Sequence, residues 1–314
     1  MITLLGPTAS GKTSLAVHLA YELGGEILSA DSRQLYKGMD IGTGKDLDEY
    51  ILHGQRIPYH LIDLVLAGER YSLFAWQRAF HRAYEDLVGR GIRYPILCGG
   101  TGLYAEAVLR GYHLPDVPPN PSLREELRGE TLEELRVRLS NYGPLHNTTD
   151  LDSAQRAIRA IEIAEYIREQ KASGIDHTEY PPIDSLILCL DLPREERRSR
   201  ITLRLRERLE HQDMIGEVKG LLASGIPAED LIYYGLEYKF VTRYLLGELS
   251  YDEMFVSLET AIHQFAKRQM TWLRGMERRG FTLHYIDALL PMQDKVEIAL
   301  QLLHSWETDN QRLV

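Results

Sequence analysis

Residues 6–13 constrain the fold of this chain more than any other stretch. Gly6-Pro7-Thr8-Ala9-Ser10-Gly11-Lys12-Thr13 fits G-x-x-x-x-G-K-[ST], the loop that cradles phosphate groups. The motif needs a strand before it and a helix after it, so that backbone N–H groups converge on an anion at a helix N-terminus. Both flanks are present. Ile2 to Leu5 is an apolar run of buried-strand length. Leu15, Leu19 and Leu23 then recur four apart until Gly24-Gly25 stops the helix. Lys12 supplies a point charge for terminal phosphates, and Thr13 a hydroxyl for Mg²⁺. The loop specifies a diphosphate or triphosphate and leaves open what is done with it.

The chain continues in alternating strands and helices. Glu26 to Ala30 reads as a second strand, ending at Asp31-Ser32-Arg33-Gln34. In open α/β sheets ligands lie beyond the carboxyl ends of strands, which places Asp31 beside the phosphate loop. A turn or cap aspartate is the competing reading. Gly38, Gly42 and Gly44 predict an irregular loop. Ser72 caps a helix over 72–91 with Leu73, Trp76, Phe80, Tyr84 and Leu87 as its apolar stripe. Tyr94 to Cys98 is a third strand. It enters a second glycine-rich corner, Gly99-Gly100-Thr101-Gly102, able to offer N–H groups and the Thr101 hydroxyl to a ligand. Ser185 to Leu190 returns to a buried strand ending at Asp191. The alternation predicts a parallel α/β sheet.

Prolines at 115, 118, 119 and 121, and again Gly174 and Pro181-Pro182, bracket an insertion. The expected organisation is a core over 1–112, an inserted helical domain over 113–182, and the rest of the core over 183–314. Within the insertion, Thr131 and Glu134 form a capping box. A helix over about 151–170 turns Ala157, Ile161 and Ala164 one way and Gln155, Arg156 and Arg159 the other. Residues 194–208 hold seven arginines against three glutamates and read as an arginine-rich helical lid. Ser250 and Glu253 open a long helix with Phe255, Leu258, Ile262, Phe265, Trp272 and Met276 inward and Lys267, Thr271, Arg274 and Arg278 outward.

Composition narrows the class. Hydrophobic content of 44% and charged content of 26% describe a globular protein. No apolar run reaches membrane-span length, so no membrane partner is expected. A phosphate loop starting at residue 6 argues against a secretory leader. Cys98 and Cys189 sit inside apolar strands and read as two buried thiols in a reducing cytoplasm, not as a zinc finger. A net charge of −10 argues mildly against nucleic acid, although the arginines are clustered. Three chemistries fit: a small-molecule kinase using ATP, a transferase with a diphosphate leaving group, or an NTP-driven RNA-binding protein. Asp31 suits a base in either of the first two, and physics alone does not separate them.

Taken together, GPTASGKT at 6–13, SADSRQLYKGMDIGTGK at 29–45, PYHLID at 58–63, GGTGLY at 99–104, QRAIRAIEI at 155–163 and AKRQMTWLR at 266–274 resemble a known family. That family is tRNA dimethylallyltransferase (tRNA isopentenylpyrophosphate transferase), bacterial type, and the resemblance covers nearly the whole chain. It implies a P-loop NTPase-like core with an inserted helical domain. The implied reaction moves the dimethylallyl group of dimethylallyl diphosphate to N6 of the adenosine 3′-adjacent to a tRNA anticodon, with Mg²⁺ on Thr13. Residues 6–13 then hold a prenyl diphosphate. Asp31 matches the catalytic aspartate and Thr101 the threonine at the reacting centre. Arg204 is the choice for the diphosphate arginine, with Arg206 and Arg208 as rivals. Asp31, Ser32, Arg33 and Gln34, with Gln155, Arg156, Ala157, Ile158 and Arg159, match tRNA-contacting segments. The partner is an anticodon stem-loop and the protein a cytoplasmic monomer. Prenylation of a free adenine nucleotide, or a kinase, is the alternative. The sequence departs from the family pattern at Gly44, Asp46, Ser153, Asp213 and Leu236 to Phe240.

Overall fold

The computed structural model describes residues 1–143, 151, 153–172 and 180–311. Gly174 lies outside them. Two compact units are present, one of residues 1–111 with 181–314 and the other of residues 112–180. The first is built on a six-stranded sheet. In spatial order its strands are Leu283–Asp287, Leu186–Asp191, Ile2–Leu5 (β1), Ile96–Gly99, Ile27–Ser29 (β2) and Tyr59–His60. Every pairing is parallel, as the alternation of strands and helices predicts.

Strand side chains alternate between two apolar layers, so both faces of the sheet are buried. Leu5, Leu28, Leu97, Ile187 and Cys189 enter one layer. Leu4, Ile27, Ile96, Cys98 and Leu188 enter the other. The helices of this unit are α1 (Lys12–Leu23), α2 (Leu73–Gly89) and α3 (Gly102–Leu109). Those of the second unit are α4 (Pro121–Glu126), α5 (Leu132–Ser140) and α6 (Ala154–Ala172). The first unit resumes with α7 (Arg194–Glu210), α8 (Met214–Ala223), α9 (Ala228–Tyr234), α10 (Leu236–Leu245), α11 (Tyr251–Arg278) and α12 (Met292–Gln311). Trp76 of α2 is fully buried against Phe80 and Tyr104. No helix among the described residues is long and apolar enough to cross a membrane.

Helix α11 buries Met254, Leu258, Ile262, Ala266, Gln269, Leu273 and Met276. This differs from the expected stripe, because Phe255, Phe265 and Trp272 are only half-buried. The cause is close packing on the second glycine corner. A Cβ at Gly102 would overlap the Trp272 ring, and one at Gly100 would overlap the Gln269 amide. Lys267, Thr271, Arg274 and Arg278 are exposed.

Residues 38–46 form a loop with no regular structure to satisfy its backbone, and two side chains organise it. Glu217 accepts from the N–H groups of Asp40, Ile41 and Gly42 at 2.8, 2.7 and 3.1 Å. Lys45, fully buried, donates to the Tyr36 carbonyl at 2.7 Å, to Asp40 at 2.6 Å and to Asp63.

In the second unit α5 and α6 pack through Leu135, Leu139, Ala157 and Ile161. Both expected capping boxes form, at Thr131 and Ser250. Glu162 is 2% exposed. It accepts from the Asn120 N–H at 2.8 Å, from Arg124 at 2.7 and 2.8 Å, and from Arg159 at 3.1 Å. Burial raises its pKa, but these hydrogen bonds outweigh burial and hold the carboxyl below its ordinary value. A depressed carboxyl stabilises the fold above its unfolded pKa, about 4.3, and the gain is lost as pH falls through the folded value. Glu162→Gln is expected to destabilise the helical unit at neutral pH by about 2 kcal/mol, the scale of hydrogen bonds to a charged group. Thermal unfolding followed by limited proteolysis at pH 7 and pH 3 checks this. The difference from wild type is expected to be smaller at the second pH than at the first.

Candidate active site

The phosphate loop takes the shape its sequence demands. Gly6 and Gly11 adopt positive φ of 155° and 84°, conformations in which glycine carries no Cβ penalty, and Ala9 takes a left-handed φ of 63° between them. Gly11 also supplies the N-cap of α1. Lys12 folds back, its Nζ donating to the Pro7 carbonyl at 2.7 Å. Burial pulls its ammonium down to about 8, with Asp31 among the charges that oppose the fall.

A cavity of about 300 Å³ opens at the carboxyl ends of β1, β2 and the Ile96–Gly99 strand. Thr8, Ala9, Gly11, Lys12 and Thr13 line it from the loop; Gly6, Pro7 and Ser10 lie behind. Asp31, Arg33 and Gln34 line it from the turn after β2. Arg200, Arg204 and Arg208 line it from one face of α7, and Ile262, Phe265 and Gln269 from α11. The neighbouring loop adds Asp46 and Glu49.

Each residue singled out from sequence has a definite place. Asp31 Oδ1 accepts from the Arg33 N–H at 3.0 Å, which fixes the carboxylate within its turn. Arg33 turns inward, donating to the Gly42 carbonyl at 3.0 Å and to Glu237. Gln34 is a strut: its Oε1 accepts from the Ser29 hydroxyl at 2.9 Å and its Nε2 donates to the Gly44 carbonyl at 3.0 Å. Thr101 does not line the cavity. Its Oγ1 accepts from the Ser32 N–H at 3.1 Å, and its own N–H donates to the Ala30 carbonyl at 3.1 Å. The second corner thus buttresses the Asp31 turn, and its Gly99 and Gly100 also line the cavity. A Cβ at Gly99 would overlap the Ala30 carbonyl, which adds to the reason for glycine there.

Of the three arginine rivals, Arg204 and Arg208 face the cavity. Arg206 is exposed and lies over the Phe255 ring at 5.5 Å. Arg204 donates to the Thr8 hydroxyl. Burial, then the charge of Arg208, lowers Arg204 to about 10, which leaves it cationic at neutral pH. In the helical unit Gln155 and Arg156 are exposed and Ala157 is buried. Ile158 and Arg159 are half-buried, and Arg159 donates to the Val117 carbonyl at 2.7 Å and to Glu162.

Gln269 is the residue that sequence reasoning misses. Its Oε1 accepts from the Thr8 N–H at 2.8 Å and its Nε2 donates to the Gly100 carbonyl at 2.9 Å. One amide from α11 therefore ties the phosphate loop to the second corner. The available signal was a lone polar side chain within an otherwise apolar helical stripe.

A family model described as IPP transferase matches residues 34–276. The chain belongs to the IPP transferase family. A Porphyromonas gingivalis protein named tRNA dimethylallyltransferase 1 is 67% identical over 302 residues, covering 96% of this chain and 98% of that protein. A Phocaeicola vulgatus protein named tRNA dimethylallyltransferase 2 is 59% identical over 305 residues, covering 97% and 98%. The crystal structure of the full-length tRNA isopentenylpyrophosphate transferase of Bacillus halodurans superimposes with a TM-score of 0.68 at 30% identity, covering 98% of each chain. A eukaryotic dimethylallyltransferase solved acting on tRNA shares the fold, with a TM-score of 0.72 at 23% identity over 92% of this chain and 73% of that one. Both neighbours agree with the P-loop NTPase-like core expected from the sequence.

Gln269→Leu removes both ends of the bridge in this family member. Each lost bond leaves a partner unpaired, at roughly 1–3 kcal/mol. The KM for a diphosphate substrate is expected to rise about tenfold or more. Gly100→Ala, whose Cβ displaces the same amide, is expected to do likewise. Steady-state kinetics check it, and an unchanged KM in both variants would reduce Gln269 to packing.

Proposed function

We propose that this chain transfers the dimethylallyl group of dimethylallyl diphosphate to N6 of the adenosine 3′-adjacent to a tRNA anticodon, working as a cytoplasmic monomer. The observation that carries the reading is one cavity shared by Lys12 and the phosphate loop, the Asp31 carboxylate and the buried arginines of α7. Membership of the IPP transferase family supplies the class of reaction.

Loop N–H groups, Lys12 and Arg204 hold the diphosphate of the donor. As the allylic C–O bond breaks, negative charge grows on the diphosphate, and these fixed donors stabilise it most at that stage. Thr13 lines the cavity, and hydroxyl, phosphate oxygen and water are the hard donors that Mg²⁺ takes. Among the described residues no cluster of three or more His, Cys, Asp or Glu side chains stands ready to hold a metal without substrate. Bound there, Mg²⁺ would neutralise charge on the leaving diphosphate. Ile262, Phe265 and Leu236 give the cavity an apolar wall for the prenyl group.

The adenosine must leave its stack to reach this cavity, the usual requirement for chemistry on a base. Its exocyclic nitrogen forms the new bond to carbon, and Asp31 accepts the proton released. Thr101 acts through Ser32 and the Asp31 turn as a positioning residue. Gln155 and Arg156 on α6, and Lys267, Arg274 and Arg278 on α11, are exposed groups suited to RNA backbone.

Labelled dimethylallyl diphosphate is expected to mark an isolated anticodon stem-loop carrying the target adenosine, with γ-labelled ATP marking nothing. AMP should be the poorer acceptor, since its single phosphate offers these exposed basic faces little. Comparing kcat/KM for the two acceptors at one salt concentration decides it. Equal efficiency with AMP would defeat the tRNA assignment, and transfer from ATP alone would defeat the prenyl chemistry.

A further inference from the structure

Arg208 is 4% exposed, yet it lines the cavity one helical turn beyond Arg204 on α7. A guanidinium carries five N–H donors. Among the described residues Arg208 makes one hydrogen bond, to Asp46 Oδ2 at 3.3 Å, and an ion pair with Glu237 at 3.9 Å, beyond hydrogen-bond reach. Glu237 is itself committed to Arg33. The guanidinium nitrogens without a protein partner are not sealed in the protein but open onto the cavity, where a ligand can reach them.

The surroundings are shaped to keep the guanidinium where it is. Gly44 has a φ of +65°, and a Cβ there would overlap Arg208 Nη2. Two residues on, Asp46 takes a left-handed φ of 44°, at which its carboxylate meets the same nitrogen. Glu237 closes the other side. Three positions at which the sequence departs from its family pattern thus converge on one side chain. Among the described residues Arg204 makes a similarly sparse set of contacts, a single hydrogen bond to Thr8. The two arginines therefore present idle N–H groups to a common space, which the phosphate loop borders.

We propose that Arg208 is a second donor-binding arginine, gripping the diphosphate of the prenyl donor together with Arg204 while Asp46 and Glu237 hold it in place. This rests on the function proposed above. The planar fork of a guanidinium suits two oxygens of one phosphoryl group, a geometry an ammonium cannot copy. Asp46 and Glu237 serve as counter-charges, and the ligand supplies the bonds they leave unmade. RNA phosphate is the weaker candidate ligand, because the residue is buried at the cavity wall.

Calorimetric titration of the full chain with inorganic diphosphate, without tRNA, tests the assignment. Wild type binds. Arg208→Met is expected to bind about ten- to a hundredfold more weakly, the range for charge-assisted hydrogen bonds. Arg208→Lys should lose about tenfold although it keeps the charge, and Gly44→Ala should weaken binding by displacing the guanidinium. Thermal unfolding confirms that each variant is folded; if Arg208→Met is not, Arg208→Lys and Gly44→Ala decide. The KM for the donor should rise in parallel while the KM for tRNA holds within about twofold, a split that a purely structural role would not give. Folded Arg208→Lys and Gly44→Ala proteins that bind diphosphate as wild type does would overturn the proposal alone, with prenyl transfer by the wild type still standing. A wild type that neither binds diphosphate nor transfers a prenyl group would overturn both.

Discussion

A parallel sheet buried on both faces can offer chemistry only at the ends of its strands. Here three such ends meet. β1 ends in the phosphate loop, β2 in the Asp31 turn, and the Ile96–Gly99 strand between them in the second glycine corner. Their spacing is fixed by backbone hydrogen bonds within the sheet, so anion grip and carboxylate are set relative to one another before any ligand arrives. The loops beyond the strand ends are then locked by side chains. Thr101 ties the corner to Ser32, and Gln269 ties the corner to Thr8. Loosening either contact moves one reacting partner relative to the other, and ångström-scale misplacement is expensive in a bimolecular group transfer.

Charge is arranged on the same frame. Lys12, Arg33, Arg200, Arg204 and Arg208 line the cavity together with the carboxylates of Asp31, Asp46, Glu49 and Glu237. Opposite charges kept this near to balance spare the empty protein an intolerable concentration of buried cations. They also leave cationic donors for an incoming diphosphate. Burial pulls Lys12 down to about 8 and, with Arg208, Arg204 to about 10. Both shifts arise chiefly from burial, and perturbed values of this kind are common at functional sites.

The parts of this arrangement written locally in the sequence were legible there. The phosphate loop, its flanking strand and helix, the strand ending at Asp31 and both capping boxes depend on neighbours within a few residues. The bridges were not. Thr8 meets Gln269 across 261 positions, Arg33 meets Glu237 across 204, and Arg208 meets Asp46 across 162. No periodicity reports such pairings. The inward face of α11 misled for another reason. Aromatic residues weigh heavily in a hydrophobic pattern, but the inward line of α11 runs through Ala266, Gln269 and Leu273, with Phe265 and Trp272 half-buried beside it. Thr101 adds a contact that its glycine-rich corner does not announce: its hydroxyl accepts from the Ser32 N–H, 69 positions away.

The central claim is that the anion grip and the proton acceptor are separate parts of one cavity. It is tested most directly by Asp31→Ala, measured in two ways on the same preparation. Single-turnover prenyl transfer to tRNA is predicted to slow by about 10²–10⁴, the usual worth of a general base. Affinities for diphosphate and for tRNA are predicted to stay within a few-fold of wild type, because Lys12, Arg204 and the loop N–H groups remain. Near-normal turnover in the folded variant would contradict the account and leave Asp31 a turn residue.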